Sequence, residues 1–324
     1  MRIIAYIFRR VALAVGVLTL VALIVFLGTE VLPGDAVTAS IPAEELIYYS
    51  PKQLDALRAE YGLDRPIPVR FFDVWKQLFT FDFGVTLVKR EPVFDRIIYP
   101  MRNSAIMAGT ALVVMLVLVL IIGIAAAWKP GGRIDSLLSG GILAGYSLPE
   151  FVVGNLFVIV FAVWLGIAPA VIMIGTKAPA LDMLAVTFLP VAALCVASAA
   201  YQFRLLRAGM IEALEADYIE RAQLAGVPRW RLLITHALPS AMIPMLNGTA
   251  SFVAGVLSGT VVLEAVFKYP GAGVELLRAL SQRDIPSIQA IAFLAALTVV
   301  LCNLLADLAA LALDPRIRRG GRNG

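Results

Sequence analysis

The sequence carries little charge for its length. Aspartate, glutamate, lysine and arginine make up 15% of the 324 residues, whereas 60% of the residues are hydrophobic. A soluble globular chain carries roughly 25% charged residues, and the mean hydropathy of this chain is +0.87. Because a water-soluble fold of this size could not bury so much apolar surface, we predict an integral membrane protein.

Histidine and cysteine are also scarce. One histidine and two cysteines exclude a disulfide framework or a metal site built by this chain alone. The Walker A loop that binds ATP needs a lysine directly after a glycine, and no lysine of this chain follows a glycine. The sequence therefore predicts no catalytic residue, no metal and no cofactor bound by this chain, so that any ATP hydrolysis belongs to partner subunits.

Long stretches without charge indicate membrane-spanning helices, since a bilayer core needs about 20 apolar residues per helix. One stretch is interrupted by Glu150, behind a break at residues 147–149; because membrane helices tolerate proline, we predict one long bent helix there. The first stretch is longer than the core of a cleaved signal peptide, about 7–15 residues, which favours a retained helix. The six predicted spans cover residues 11–29, 103–128, 137–165, 183–203, 237–263 and 285–306.

The positions of the basic residues predict the orientation. Of 27 lysines and arginines, 14 fall on the side of the N-terminus and 13 on the other side. Nine of those 13 lie in residues 33–102, and loops above roughly 60 residues escape the rule that basic residues stay inside. Without that loop the tally is 14 against 4, which places both termini in the cytoplasm. The net charge of +4 then reflects topology and not nucleic-acid binding.

The large extracytoplasmic loop, residues 33–102, carries two predicted helices. Ser50 and Gln53 form a capping-box pattern before the first helix, and Gly62 supplies its C-terminal stop. The second helix, residues 68–79, has an aromatic side. This side packs on the ends of the membrane helices, and a second interpretation adds that the outer face contacts an extracytoplasmic partner. Three residues define the aromatic side: Phe72, Trp75 and Phe79.

The cytoplasmic loop, residues 205–239, has the pattern of a rigid projection. Gly226 ends a first predicted helix, and Pro228 starts a second. Asp217 and Arg221 form a favourable i,i+4 pair on the first helix. A helix–glycine–helix unit between two spans transmits a force or a rotation that a floppy loop would absorb. Apolar residues of the first helix share one stripe: Ile211, Leu214, Tyr218, Ala222 and Ala225.

The loop also has a specific spacing of Glu220, Ala222, Gly226, Leu238 and Pro239. This spacing resembles the EAA loop, E-A-A-x3-G-x9-I-x-L-P, of binding-protein-dependent ABC importer permeases. The sequence departs from the motif at its second position, where Arg221 replaces the first alanine, and at the isoleucine, where His236 stands.

Further motifs lie along the whole chain: Leu32-Pro33-Gly34-Asp35, Tyr61-Gly62-Leu63-Asp64-Arg65-Pro66, Phe81-Asp82-Phe83-Gly84, Ser147-Leu148-Pro149, Glu264-Ala265-Val266-Phe267-Lys268-Tyr269-Pro270-Gly271-Ala272-Gly273 and Asp314-Pro315-Arg316-Ile317-Arg318. In this order they resemble the landmarks of the dipeptide, oligopeptide and nickel permeases. The large loop after the first span resembles that of the first, B-type, permease of such systems.

The resemblance implies an all-α fold of the type I (MetI-like) ABC importer permease class, with six transmembrane helices and an extracytoplasmic loop domain after the first. The implied division is an N-terminal tail and first helix (1–32), the outer loop (33–102), a five-helix core with its coupling loop (103–313) and a cytoplasmic tail (314–324).

The resemblance also implies partners and a transport role. A homologous second permease would complete the path for peptides or similar small solutes in a bacterial inner membrane. Two cytoplasmic ABC ATPases would use ATP and Mg, and an extracytoplasmic solute-binding protein would deliver the substrate. The residues assigned to ATPase coupling are Glu220 as a charged anchor, Ala222 for close approach and Gly226 for the turn, with Asp217 and Arg221 beside them.

Polar side chains at membrane depth are costly, which makes them functional hypotheses by default. Three roles are open for Glu150. It lines the substrate path and meets a peptide amino group or another cation, it is hydrogen-bonded structure at the Pro149 break, or it lies at the membrane interface if the span begins later. Asn155 and Asn247 are path candidates too, although interhelical hydrogen bonds also explain them. A membrane carboxylate also suits a different class, an ion-coupled secondary transporter. That class is built from inverted repeats, and no half of the chain has a convincing second copy.

Overall fold

A computed structural model of the chain describes residues 2–31, 48–60, 62, 64–87 and 89–313, with side chains except those of residues 2–7, 31, 60, 246–259 and 306–313. The described chain is helical almost throughout, with an isolated bridge between Val85 and Pro92, so the all-α prediction is confirmed. The helices are α1 (Arg2–Val31), α2 (Pro51–Glu60), α3 (Ile67–Thr80), α4 (Val93–Trp128), α5 (Arg133–Tyr146), α6 (Glu150–Phe157), the π-helix π1 (Val158–Trp164), α7 (Ala180–Val186), α8 (Phe188–Leu214), α9 (Asp217–Leu224), α10 (Arg229–Arg231), the π-helix π2 (Leu232–Ala237), α11 (Leu238–Phe267), α12 (Ala272–Ser281) and α13 (Ile285–Leu313).

Several described helices are long and apolar enough to cross a membrane. The bent pair of α5 with α6 and π1 is a further candidate. The predicted span over residues 237–263 falls in α11, a 30-residue helix whose middle side chains lie outside the described set, so the count of six stays a prediction. The four single-helix candidates are Phe8–Glu30, Val93–Trp128, Phe188–Leu214 and Ile285–Leu305.

The predicted break at residues 147–149 is confirmed, but the segment is not one long bent helix, because α5 ends at Tyr146 and α6 begins at Glu150. The axis turns by 102° between α5 and the segment formed by α6 and π1, so the pair is a broken span or a re-entrant loop. Pro149 precedes the first residue of α6 with φ −57° and ψ 144°, because proline fixes φ and donates no hydrogen bond to a preceding turn. Helix α5 has 14 residues, or about 21 Å, which is shorter than the hydrocarbon core of a bilayer, about 30 Å.

The chain divides into two compact units, of which the first contains residues 1–104 and 270–300. Its capping box is confirmed, since the Ser50 amide donates to Gln53 Oε1 at 2.8 Å and the Gln53 amide donates to Ser50 Oγ at 3.4 Å. Gly62 follows α2 with φ +66°, as the predicted stop requires. The motif residues 32–35, 61, 63 and 314–318 lie outside the described residues.

Helix α3 packs its aromatic side within this first unit. The Trp75 indole N–H donates to Thr19 Oγ1 of α1 at 3.0 Å. The Phe79 ring lies 4.7 Å from Trp75 and 5.3 Å from Phe293 of α13, between ring centroids. The aromatic side therefore packs on α1 and α13, as predicted, but its contact on α1 lies in the middle of that helix and not at the predicted end. Phe72 is 61% exposed, and contact with an extracytoplasmic partner stays a prediction.

The second unit contains residues 105–269 and 301–324, and α8 and α11 cross closely in it. A Cβ on Gly209 would lie 3.0 Å from the Cα of Ala241, so glycine permits the approach of the two backbones. The buried apolar residues of this core include Met107 and Met115 of α4, Leu194 and Phe203 of α8, and Met245 and Leu263 of α11.

Candidate functional site

The loop between α8 and α11 is shorter and more compact than the sequence predicts. Helix α8 begins at Phe188 and runs past residue 203 to Leu214. Ala216 then takes extended backbone, with φ −76° and ψ 143°, before α9 starts. The prediction of one helix carrying both Ile211 and Ala225 is therefore wrong, because Ile211 belongs to the membrane helix and only α9 projects.

This break changes which side of α9 is buried. Ile219 is 2% exposed, whereas Tyr218 is 44% exposed, and Ala225 is exposed as well. Since the extended residue Ala216 restarts the helical phase, the apolar stripe of α8 does not continue into α9. The predicted stripe is thus wrong for α9, and Ile219 is the residue that anchors it.

The outward side of α9 combines charged and apolar residues. Glu220 and Arg221 are exposed and Ala222 is half-buried. Leu224 is 82% exposed, and Trp230 of α10 is 51% exposed. Sequence reasoning did not single out Leu224, since one apolar residue at the end of a short helix has no periodicity. Exposed apolar side chains on a projecting loop, rimmed by charge, are typical of a protein interface.

Gly226 ends α9 in the way the sequence predicts. It has φ +81°, a conformation that costs other L-residues energy. The Gly226 amide donates to the Gln223 carbonyl at 3.0 Å, and the Val227 amide donates to the Ala222 carbonyl at 3.1 Å. These two bonds form a Schellman motif, which satisfies carbonyls at the helix end. A Cβ on Gly226 would meet no heavy atom within 4 Å, so its requirement for glycine is conformational.

The predicted ion pair between Asp217 and Arg221 is wrong. Arg221 Nε donates instead to the backbone carbonyl of Asp217, at 3.3 Å. Both side chains are exposed, and an exposed ion pair gains too little energy to hold two flexible side chains together.

The second half of the loop is continuous with the next membrane helix. Pro228 precedes α10 as predicted, and π2 follows, with the Leu238 amide donating to the Leu233 carbonyl five residues earlier. His236 stands where the motif has isoleucine. It is half-buried, with Nδ1 2.7 Å from Thr235 Oγ1.

Two arginines, one in this loop and one near the end of α8, contact the residues that join α4 and α5. Arg229 Nε donates to the carbonyl of Trp128, the last residue of α4, at 2.8 Å. Arg207 of α8 donates from Nε and Nη2 to the two carboxylate oxygens of Asp135, each at 2.6 Å. Sequence reasoning missed these contacts because the partners lie 101 and 72 residues apart, beyond any local pattern.

A cavity of about 260 Å³ lies behind α9. It is bounded by the α4–α5 turn on one side and by both halves of the coupling loop on the other. The residues around it include Pro130, Leu214, Glu215, Ile219, Arg229 and Leu232.

Two of the three substrate-path candidates lie on one helix, α6, which precedes the coupling loop in the chain. Glu150 is the half-buried first residue of α6, and Asn155 is exposed on the same helix. Gly154 brings α6 onto α11, since a Cβ there would lie 2.7 Å from Leu263 Cδ2. The Asn247 side chain lies outside the described residues.

The first unit holds an ion-pair cluster that sequence reasoning also missed. Arg96 of α4 donates to Glu275 at 2.5 Å, to Asp284 at 3.0 Å and to Gln282 at 2.9 Å. Glu275 and Asp284 are buried, and their charges are met by arginine. Among the described residues, no group of three or more His, Cys, Asp or Glu side chains could hold a metal ion.

Comparison with known proteins agrees with this architecture. Residues 119–319 match the family described as binding-protein-dependent transport system inner membrane component. A probable peptide ABC transporter permease protein of Sinorhizobium fredii is 31% identical over 97% of this chain and 99% of its own length. The dipeptide transport system permease protein DppB of Bacillus subtilis is 29% identical over 97% of each chain.

The family match covers both α6 and the whole coupling loop, and the relatives match along nearly the full length. With the apolar helices, these findings establish a multi-pass membrane protein and favour an ATP-driven importer over the ion-coupled secondary transporter. The chain therefore belongs to the family of binding-protein-dependent transport system inner membrane components, and it is a permease subunit of an ABC importer.

Proposed function

We propose that this chain and a homologous second permease together form the path by which an ATP-driven importer moves peptides or similar small solutes. Two ABC ATPases bind the coupling loops and use ATP and Mg, and an extracytoplasmic solute-binding protein delivers the substrate. The chain lies in a bacterial inner membrane with both termini in the cytoplasm. It contributes the path and no ATPase site or cofactor of its own.

The observation that carries the proposal is the projection formed by α9. Its inner side is anchored by Ile219, while Leu224, with 82% of its surface exposed, and the charged Glu220 face outward. An exposed leucine beside exposed charge is costly to leave in water and suits a groove on another protein. Ala222 and Gly226 present little side-chain bulk beside it, which permits close approach.

The projection also has the stiffness that mechanical coupling needs. The Schellman motif at Gly226 closes the end of α9, and the Arg229 guanidinium caps the last carbonyl of α4, where a cation is favoured by the helix dipole. Helix α8 leads directly into the loop and α11 leads directly out of it. A partner that pulls α9 therefore displaces the ends of two membrane helices.

A direct test uses the whole complex in proteoliposomes, with ATP inside and a casein digest as the peptide probe. We expect ATP-dependent peptide uptake, measured by mass spectrometry of the lumenal contents, that survives an uncoupler. Leu224→Ala should weaken co-purification of the ATPases and lower uptake. The matched control is Leu277→Ala on α12, where the leucine is 45% exposed. Uptake abolished by the uncoupler, or equal effects of both alanine variants, would contradict the proposal.

The two relatives are named as peptide and dipeptide permeases, which supports peptides as the substrate class. We assign Glu150 to the peptide ammonium group, with Asn155 and Asn247 along the same path. Glu150 is half-buried in the first turn of α6, where the dipole of that helix favours a negative charge.

Glu150→Gln tests this assignment through the ratio of two uptake rates, that of dialanine and that of N-acetyl-dialanine. Wild-type complexes should take up dialanine faster than N-acetyl-dialanine, and the variant should lose part of that preference. Since the same binding protein serves both complexes, its own selectivity cancels in the comparison. Glu212→Gln, at an exposed glutamate of α8, is the matched control. An unchanged ratio in Glu150→Gln removes Glu150 from the substrate path.

A further inference from the structure

The turn between α4 and α5 is built around one carboxylate. Gly131 has φ +72°, and its amide donates to Asp135 Oδ2 at 2.8 Å. The Gly132 amide donates to the Lys129 carbonyl at 3.0 Å, which closes the turn. Asp135 is 2% exposed although it lies in the first turn of α5. The conformation of the turn therefore depends on this buried side chain.

The same carboxylate holds α8. Arg207 donates to both oxygens at 2.6 Å, and the Ser139 hydroxyl donates to Oδ1 at 3.3 Å. A bidentate arginine–carboxylate pair fixes orientation as well as distance. The Asp135 side chain is 3% exposed and that of Arg207 is 32% exposed, so the carboxylate is removed from water while the arginine keeps partial contact with it. Helix α5 is thereby held in one register against α8.

A second contact reaches the same turn from the coupling loop itself. Arg229 follows α9 in the chain and donates to the Trp128 carbonyl at 2.8 Å. Helix α9 is thus bracketed by Arg207 before it and Arg229 after it, and both arginines bind the α4–α5 turn. The cavity behind α9 separates the helix from Pro130, so the two arginine ties carry the connection where direct packing is incomplete.

Helix α5 connects this turn to the substrate-path candidate. It ends at Tyr146, and Glu150 begins α6 after the break at residues 147–149. A displacement of the turn along α5 therefore arrives directly at the break. We propose that Asp135 and Arg207 are positioning residues that transmit movement of α9 to α5 and so to α6. The inference rests on the proposed function, because it requires that an ATPase moves α9.

A demonstration of coupling needs more than a contiguous chain of contacts. The decisive variant is the double substitution Asp135→Leu with Arg207→Met, which removes both charges and leaves neither one buried and unpaired. Reconstituted with its partners, this complex should keep its basal ATPase rate. We measure how strongly the binding protein, loaded with a casein digest, stimulates ATP hydrolysis. This stimulation of the ATPase rate should fall about tenfold, which is within the usual range of coupling between sites.

Two further variants keep the test decisive. Arg207→Lys retains the charge but loses the two-pronged geometry, and it should lower stimulation several-fold while the complex assembles normally. Ser139→Ala is the matched control, because it removes only the 3.3 Å hydrogen bond to the same carboxylate and should leave stimulation unchanged. If the double variant does not assemble, Arg207→Lys decides.

Gly226→Val serves as the reference for the proposed function. Loss of stimulation in Gly226→Val with normal stimulation in the double variant and in Arg207→Lys overturns the positioning role alone. Normal stimulation in all three overturns the coupling role of the loop as well. Loss in Gly226→Val and in the Asp135 and Arg207 variants, with Ser139→Ala unaffected, supports both.

Discussion

Replacement of Gly226 is the sharpest perturbation of the coupling loop, because its cost is conformational alone. A Cβ there would meet no heavy atom within 4 Å, so no clash contributes. The penalty comes from φ +81°, about 1–2 kcal/mol for an ordinary L-residue. If the turn opens to relieve it, the Schellman bonds at 3.0 and 3.1 Å are lost, each worth about 1 kcal/mol. A loss of about 1–2 kcal/mol lowers the ratio of closed to open turn about 5- to 30-fold.

Three variants should differ in the energy that the left-handed conformation costs them: Gly226→Asn, Gly226→Ala and Gly226→Val. Asparagine visits the left-handed region more readily than other residues, alanine does not, and valine adds a branched Cβ. We expect stimulated ATPase activity and peptide uptake to fall in the order Asn, Ala, Val, while membrane insertion stays constant. Insertion is measured as the amount of chain extracted from washed membranes.

The reasoning about Gly226 would be refuted by a different order. An alanine variant as active as the wild type, or an asparagine variant as impaired as valine, would show that the left-handed turn does not limit coupling. Equal loss of membrane insertion across the series would mean that the glycine serves folding alone.

Three further predictions concern packing and stability. Gly209→Leu should destabilise the complex by about 1–3 kcal/mol through overpacking, because the side chain would force α8 away from the backbone of Ala241; thermal unfolding in detergent measures it, and an unchanged Tm would contradict the close approach. Arg96→Met should cost about 3–5 kcal/mol by leaving Asp284 buried without its cation, visible as a lower yield of folded protein. Ser50→Ala should cost about 1 kcal/mol by removing the cap of α2, and increased protease cleavage of the outer loop would show this loss. Full-length Arg96→Met at wild-type yield would contradict the second prediction, and wild-type cleavage of Ser50→Ala would contradict the third.

Local patterns predicted the features that depend on neighbours in sequence. The capping box of α2 needs only Ser50 and Gln53, the end of α9 needs only a glycine at Gly226, and the break before Glu150 needs only Pro149. Long charge-free stretches likewise predict membrane helices, since burial in lipid depends on composition over about 20 residues. The EAA spacing is local too, and it indicates the family without any tertiary contact.

The orientation of α9 and the long-range arginine contacts depend on tertiary structure and could not be predicted from local patterns. The phase of α9 restarts at Ala216, because α8 continues to pack beyond the predicted span, and the anchor becomes Ile219 instead of Tyr218. The Asp135–Arg207 pair joins residues 72 positions apart, and the Arg229 tie spans 101 positions. Hydropathy and spacing therefore predict which segments lie in the membrane and which loop is the candidate for coupling to an ATPase. Only the packing of α4, α5 and α8 decides where the loop is attached, because that attachment depends on side chains that meet through the fold.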